Sequence, residues 1–274
     1  MGQLQSYLKN IKDDAAILRH CLGLENLPDA PPLAENMIVV AFDTESWCHE
    51  PRNRYGNTRF FTIPEAERML TKCFGWAIDK HRPELGNCPV LVLGHALRND
   101  MPKLYEHVGF DIRRLGTMVH KIDSQVLAST VGYWMGQPIS LKNLVNLMGF
   151  QYRDPHTANN DIGMTVVSAV QMVLFSHFKN NQTKSLQQVV DDLEKWSKST
   201  PWNDLGGADK YCLRCNKRGH LKPRCYSKIE PCEYCLTSGE LGRERIALGH
   251  ETQKCLTFLK EEALAAIQAR KQGF

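Results

Sequence analysis

The sequence predicts an α/β fold, and three observations carry that reading. Two continuous, β-branched apolar runs, Met37–Thr44 and Val90–Gly94, have the length and composition of buried strands. Segments of helical periodicity stand between and after them. A long segment, Ile162–Phe178, is apolar nearly all round, so it belongs at the centre of the structure. Strands alternating with helices pack as layers of helix on sheet.

Taken in order, residues 2–24 place Leu4, Leu8, Ile11, Ala15 and Leu18 at helical spacing, and the PDAPP run within Leu27–Leu33 then ends the helix. After the first strand comes a polar, basic stretch, Glu45–Thr58, and a short strand candidate at Arg59–Ile63. Pro64 suits the first turn of a helix extending to about Lys80. Pro102–Val108 reads as a helix, Thr117–Asp123 as a third strand and Leu141–Met148 as a short amphipathic helix. A further amphipathic helix lies near Leu186–Trp196, and Ser199–Lys210 has the Pro, Gly and Asp content of a linker. The chain ends in an Ala/Glu/Lys-rich helix, Leu256–Arg270.

Apolar residues make up 42% of the 274 and charged residues 23%, which excludes wholesale disorder. The longest uninterrupted apolar stretches, such as Met37–Phe42 and Pro89–Leu93, are strand-sized and too short to cross a bilayer as a helix, and the N-terminus lacks a secretory layout. The net charge of +4 is unevenly spread: from Tyr211 onward there are 12 Lys+Arg against 7 Asp+Glu, and before it 22 against 23. A near-neutral body with a basic tail points to a polyanionic partner for the tail, with a solvated charged surface as the plainer alternative. Six of the ten cysteines crowd into Cys212–Cys255, among histidines and without a signal peptide. That reads as metal ligation in a reducing compartment, cytoplasmic or nuclear.

Cys212, Cys215, His220 and Cys225 have the spacing C-x2-C-x4-H-x4-C, which lets a small loop wrap a tetrahedral zinc ion with three sulfurs and one nitrogen. The spacing is that of retroviral nucleocapsid zinc knuckles. Arg214, Lys217, Arg218, Lys222 and Arg224 surround these ligands, and Tyr211 and Tyr226 flank them. Cations with aromatic faces are the combination that grips single-stranded nucleic acid. Cys232, Cys235, His250 and Cys255 repeat the pattern with a fourteen-residue middle, and imply a second zinc ion. The mixed charges of that insert favour a protein partner there.

Carboxylates mark a second kind of site. Asp43 and Glu45 close the first strand on one face, Asp100 follows the second, and Asp161 opens the central helix just after His156. Hydrolysis of a phosphodiester calls for an attacking hydroxide and for neutralisation of the phosphate charge. Two hard cations held by carboxylates meet both needs, and a histidine can accept the proton of the attacking water.

FDTE, HALRND and H-x-A-x-x-D, in this order, resemble the three motifs of the DEDDh 3′→5′ exonucleases of the ribonuclease-H-like superfamily, with the nearest likeness to a fungal exonuclease-like branch. IDSQVLAS and SLKNLVNLMGF resemble the segments that separate the second and third motifs there. The likeness covers about residues 37–178. It implies a ribonuclease-H-like mixed sheet flanked by helices. It also implies two Mg²⁺ or Mn²⁺ ions on Asp43, Glu45, Asp100 and Asp161, with His156 as general base and Thr44 against the 3′-terminal nucleotide. The family's first motif leads into two further strands. Here Glu45–Ile63 leaves room for one, or for a basic loop in which Arg52, Arg54, Tyr55 and Arg59 could meet a phosphate backbone.

The organisation expected is an N-terminal helix and linker (1–34), an exonuclease-like domain (35–180), a helix and linker (181–210), two zinc knuckles (211–256) and a terminal helix (257–274). The function expected is exonucleolytic cleavage of single-stranded nucleic acid, RNA before DNA, with the knuckles gripping substrate. A protein partner would use the second knuckle or the terminal helices. The alternative is a catalytically silent scaffold that bridges RNA or protein through its zinc tail.

Overall fold

A computed structural model of the chain describes residues 1–44, 63–153, 157–178, 184–199, 212, 215, 217, 219–220 and 224–255, with 257–258, 261–262, 265 and 268–269. Within them, three strands form one parallel sheet in the order β1 (Ile38–Ala41), β2 (Val90–Gly94), β3 (Met118–Asp123). β2 is central, with Ile38 opposite Val90 on one side and Gly94 opposite Asp123 on the other. Its five residues are all buried, as expected of a parallel strand covered on both faces. Among the described residues the sheet is wholly parallel. Residues 45–62, where a mixed sheet would gain its strand at Arg59–Ile63, lie outside them, apart from Ile63 itself, which begins a helix.

Alternation along β2 divides the core. Leu91 and Leu93 join Ile122 and Val119 beneath helices α1 (Gly2–Asn10), α2 (Asp14–Cys21), α5 (Ser124–Thr130) and α7 (Ala158–Phe178). Val90 and Val92 face the other way, with Phe74, Leu104, Phe110 and Ile112, under α3 (Ile63–Phe74) and α4 (Asp100–Val108). A third cluster joins α6 (Leu141–Leu147), α7 and α8 (Leu186–Ser199) through Val145, Met164 and Val190.

The N-terminal segment is two helices rather than one. Ile11 is extended, and the Asp13 side chain accepts a hydrogen bond from the Ala15 amide at 2.9 Å, capping α2. Both helices belong to the main core: Leu4, Leu8, Ile17 and Leu18 are at most 1% exposed and pack with the sheet residues. They also flank β3. Gln5 Nε2 donates to the Met118 carbonyl at 2.8 Å, and His120 Nε2 lies 2.7 Å from Asp14 Oδ1. At the edge of the sheet formed by the described residues, a strand covered in this way offers less free backbone to other chains.

Several helices differ in extent from the sequence reading: α4 begins at Asp100 rather than Pro102, and α8 runs on to Ser199. α3 ends at Phe74, short of Lys80, because the chain then turns into an antiparallel bridge between Ala77 and Asn87. α7 begins at Ala158 rather than Ile162, which puts Asp161 inside its first turn. In the C-terminal region, α9 (Glu233–Thr237) starts just after Cys232 and spans Cys235, and α10 (Arg243–Ala247) lies in the insert of the second cysteine box. No helix among the described residues is long and apolar enough to cross a membrane.

Candidate nuclease and zinc sites

Parallel strands bring their C-terminal ends to one side of a sheet, and that is where Asp43 and Asp100 stand, while Asp161 lies in the first turn of α7. Asp43 and Thr44 follow β1, and the ladder to β2 continues as far as the bond from the Phe42 amide to the Leu93 carbonyl, 2.9 Å. Asp100 is the first residue of α4 and is 4% exposed; Asp161 is 6% exposed. Thr44 joins the first two motifs. Its hydroxyl donates to Asp100 Oδ1 at 2.5 Å, and its amide donates to the same oxygen at 3.3 Å. Glu45 and His156 lie outside the described residues.

The fit of divalent cations rests on the donors. Asp43, Asp100 and Asp161 supply hard carboxylate oxygens, the ligands Mg²⁺ and Mn²⁺ select. Asp43 Oδ2 and Asp161 Oδ1 are buried. Desolvating an anionic oxygen is costly unless hydrogen bonds or a cation compensate it. The three carboxylates do not form one tight cluster among the described residues, whereas the cysteine boxes do. Two ions some 4 Å apart call for ligands spread around a pair rather than gathered at a point.

The loop between β2 and α4, residues 95–99, is built by contacts the sequence did not advertise. Asp123, at the end of β3, accepts from the amides of Ala96, Leu97 and Gln125, each at 3.0 Å. Ala96 takes a left-handed backbone, φ 59°, unusual for a residue with a side chain. His95 Nδ1 lies 2.7 Å from the hydroxyl of the fully buried Ser124. Burial holds the His95 imidazole below its ordinary pKa, against the opposing pull of the Asp123 carboxylate. Gly94 is tied to close approach: a Cβ there would lie 2.8 Å from the Phe42 carbonyl and 2.3 Å from Leu97 Cδ2. Thr157, just before α7, and Asn160, Thr165 and Ser168 within it are further buried polar residues of this segment.

Both cysteine boxes close on themselves. In each set the ligand atoms lie within 4.8 Å of one another: Cys212, Cys215, His220 and Cys225 in the first, Cys232, Cys235, His250 and Cys255 in the second. All six cysteines are buried. His220 Nε2 is 3.3 Å from Cys215 Sγ, and His250 Nε2 is 3.6 Å from Cys235 Sγ. His250 Nδ1 lies 3.0 Å from the Ile246 carbonyl, the outer hydrogen bond that leaves Nε2 for a metal. Burial, and then the neighbouring sulfurs of Cys255 and Cys232, push the Cys235 thiol up to about 12. Against burial, hydrogen bonds from His220 and neighbouring groups hold the Cys225 thiol down to about 6, and Cys255 likewise lies below its ordinary value. Zn²⁺, which takes deprotonated sulfur, suits a set of three sulfurs and one nitrogen. Among the basic residues named for the first box, Lys217 and Arg224 are exposed, and Tyr226 is 95% exposed. Arg214, Arg218 and Lys222 lie outside the described residues.

Residues 39–172, just under half of the chain, match the family model described as DNA polymerase III subunit epsilon-like, C-terminal domain, of the DEDDh type. The match supports a DEDDh exonuclease-type domain in that stretch. No curated protein and no solved structure matches the chain.

Proposed function

We propose that the chain is a metal-dependent 3′→5′ exonuclease acting on single-stranded nucleic acid, RNA before DNA, with its zinc boxes holding the substrate. The observation that carries the reading is the Thr44–Asp100 contact, which joins the first and second motifs within the stretch that matches the DEDDh family model. Asp43, Glu45, Asp100 and Asp161 would hold two Mg²⁺ or Mn²⁺ ions, whose chemistry is to lower the pKa of water and neutralise phosphate charge. His156 accepts the proton of the attacking water. Thr44, which follows Asp43 and bonds to Asp100, lies against the terminal nucleotide.

The tail supplies affinity rather than chemistry. Zn²⁺ on the two Cys₃His sets folds segments too small to have a core of their own, and Lys217, Arg224 and Tyr226 then face a single strand, with Arg214, Arg218 and Lys222 from the same loop. The second box, whose insert has exposed Leu241 and Leu248, serves a protein partner.

Asp43→Ala and Asp161→Ala test the reading. Each is expected to abolish metal-dependent cleavage while leaving substrate binding through the tail intact. Cleavage that survives both substitutions would remove the acidic residues from the chemistry.

A further inference from the structure

We propose that Asp123, a carboxylate outside the metal-holding set, is the positioning residue that fixes Asp100, by clamping the backbone between β2 and α4. The inference rests on the acidic-site reading above. Its geometry is local and complete. Gly94 pairs with Asp123 across the sheet, so the end of β3 lies directly beside the start of the loop. One Asp123 oxygen accepts from the Ala96 and Gln125 amides and the other from Leu97, all at 3.0 Å. A carboxylate accepting three amide hydrogens has no neutral substitute of equal capacity, because an amide of the same shape turns one acceptor into a donor.

The clamp has a conformational consequence. Ala96 sits at φ 59°, where a Cβ is disfavoured, and its amide is one of the three that Asp123 holds. From this bend the chain turns directly into α4: the Asn99 amide donates to the Ala96 carbonyl at 3.0 Å, and the Asp100 amide donates to the Leu97 carbonyl at 3.2 Å. Asp100 then meets Thr44 from the other motif. The order of support runs from Asp123 to Ala96 and Leu97, then to Asp100 and Thr44. Asp123 also caps α5 through Gln125, so one side chain sets both the end of β3 and the approach to α4.

The test measures Mn²⁺ binding to the zinc-loaded full chain, by the loss of the free-ion paramagnetic signal, for wild type, Asp43→Asn, Asp123→Asn, Ala96→Val and Asp123→Asn with Ala96→Gly. Loss of an outer partner is expected to weaken Mn²⁺ binding about 10- to 100-fold in Asp123→Asn. Glycine adopts the left-handed backbone without penalty, so Ala96→Gly in the Asp123→Asn background should restore part of that loss. Rescue of this kind is not expected if Asp123 serves only general stability. Ala96→Val leaves β3 and α5 untouched and should weaken Mn²⁺ binding by straining the bend, which keeps the test decisive if Asp123→Asn does not fold. Wild-type Mn²⁺ binding in Asp123→Asn or in Ala96→Val, with Asp43→Asn impaired, would overturn the positioning role. Equal Mn²⁺ binding in wild type and Asp43→Asn would instead overturn the acidic-site reading itself.

Discussion

The Thr44 hydroxyl donates to Asp100 Oδ1 at 2.5 Å, joining two segments 56 residues apart at the C-terminal ends of β1 and β2. The Thr44 amide shares the same acceptor at 3.3 Å, so the backbone after Asp43 is held to α4 as well. Thr44→Val keeps the side-chain shape and removes the hydroxyl. It should lower metal affinity or turnover about 10-fold, as loss of a partner behind a ligand does, with little change in melting temperature. Mn²⁺ titration of the two proteins checks this.

Gly94 fixes how closely the two strand ends approach. An added Cβ would meet the Phe42 carbonyl at 2.8 Å, and that carbonyl belongs to backbone that cannot swing away. Gly94→Ala should therefore destabilise the domain by about 1–3 kcal/mol and displace the Asp43 segment. Denaturant unfolding together with a cleavage rate reports both effects.

Much of this was legible in the sequence, for identifiable reasons. β2 was readable to the residue because an uninterrupted apolar run of strand length has few other uses. The cysteine boxes were readable because four ligands at fixed spacing rarely coincide. The break at Ile11–Asp13 was hidden because Ile11 continues the helical apolar stripe; only the capping geometry of Asp13 reveals it. Asp123 was hidden too. An aspartate at a strand end reads as solvated, and its three amide partners come from two separate segments. The buried polar residues of α7 gave no signal because apolar neighbours dominate that helix.

The zinc boxes should behave as separate metal sites. Cys215→Ser is expected to lose one of two zinc ions and to weaken single-strand binding, while Cys235→Ser loses the other and spares that binding. Native mass spectrometry counts the ions, and a filter-binding assay reads the affinity. Both sites should release zinc on acidification, because bound sulfur must be deprotonated.

His95 contributes a pH dependence with a definite sign. Burial lowers its folded-state pKa below the ordinary 6.5, so the unfolded chain takes up the proton first as pH falls. The stability tied to neutral His95 is complete above 6.5 and is lost as pH drops from there towards the folded-state value. His95→Gln should flatten that part of the melting-temperature profile. A wild-type and variant profile of equal slope below 6.5 would remove His95 as the source.

The most direct measurement is a time course on 3′- and 5′-labelled single-stranded RNA and DNA, with Mg²⁺ or Mn²⁺, an EDTA control and Asp43→Ala alongside. Stepwise shortening from the 3′ end that needs metal and fails in Asp43→Ala is the result expected, faster on RNA than on DNA. Binding without cleavage, across both metals and both nucleic acids, would contradict the enzyme and leave a nuclease-like scaffold whose working part is its zinc tail.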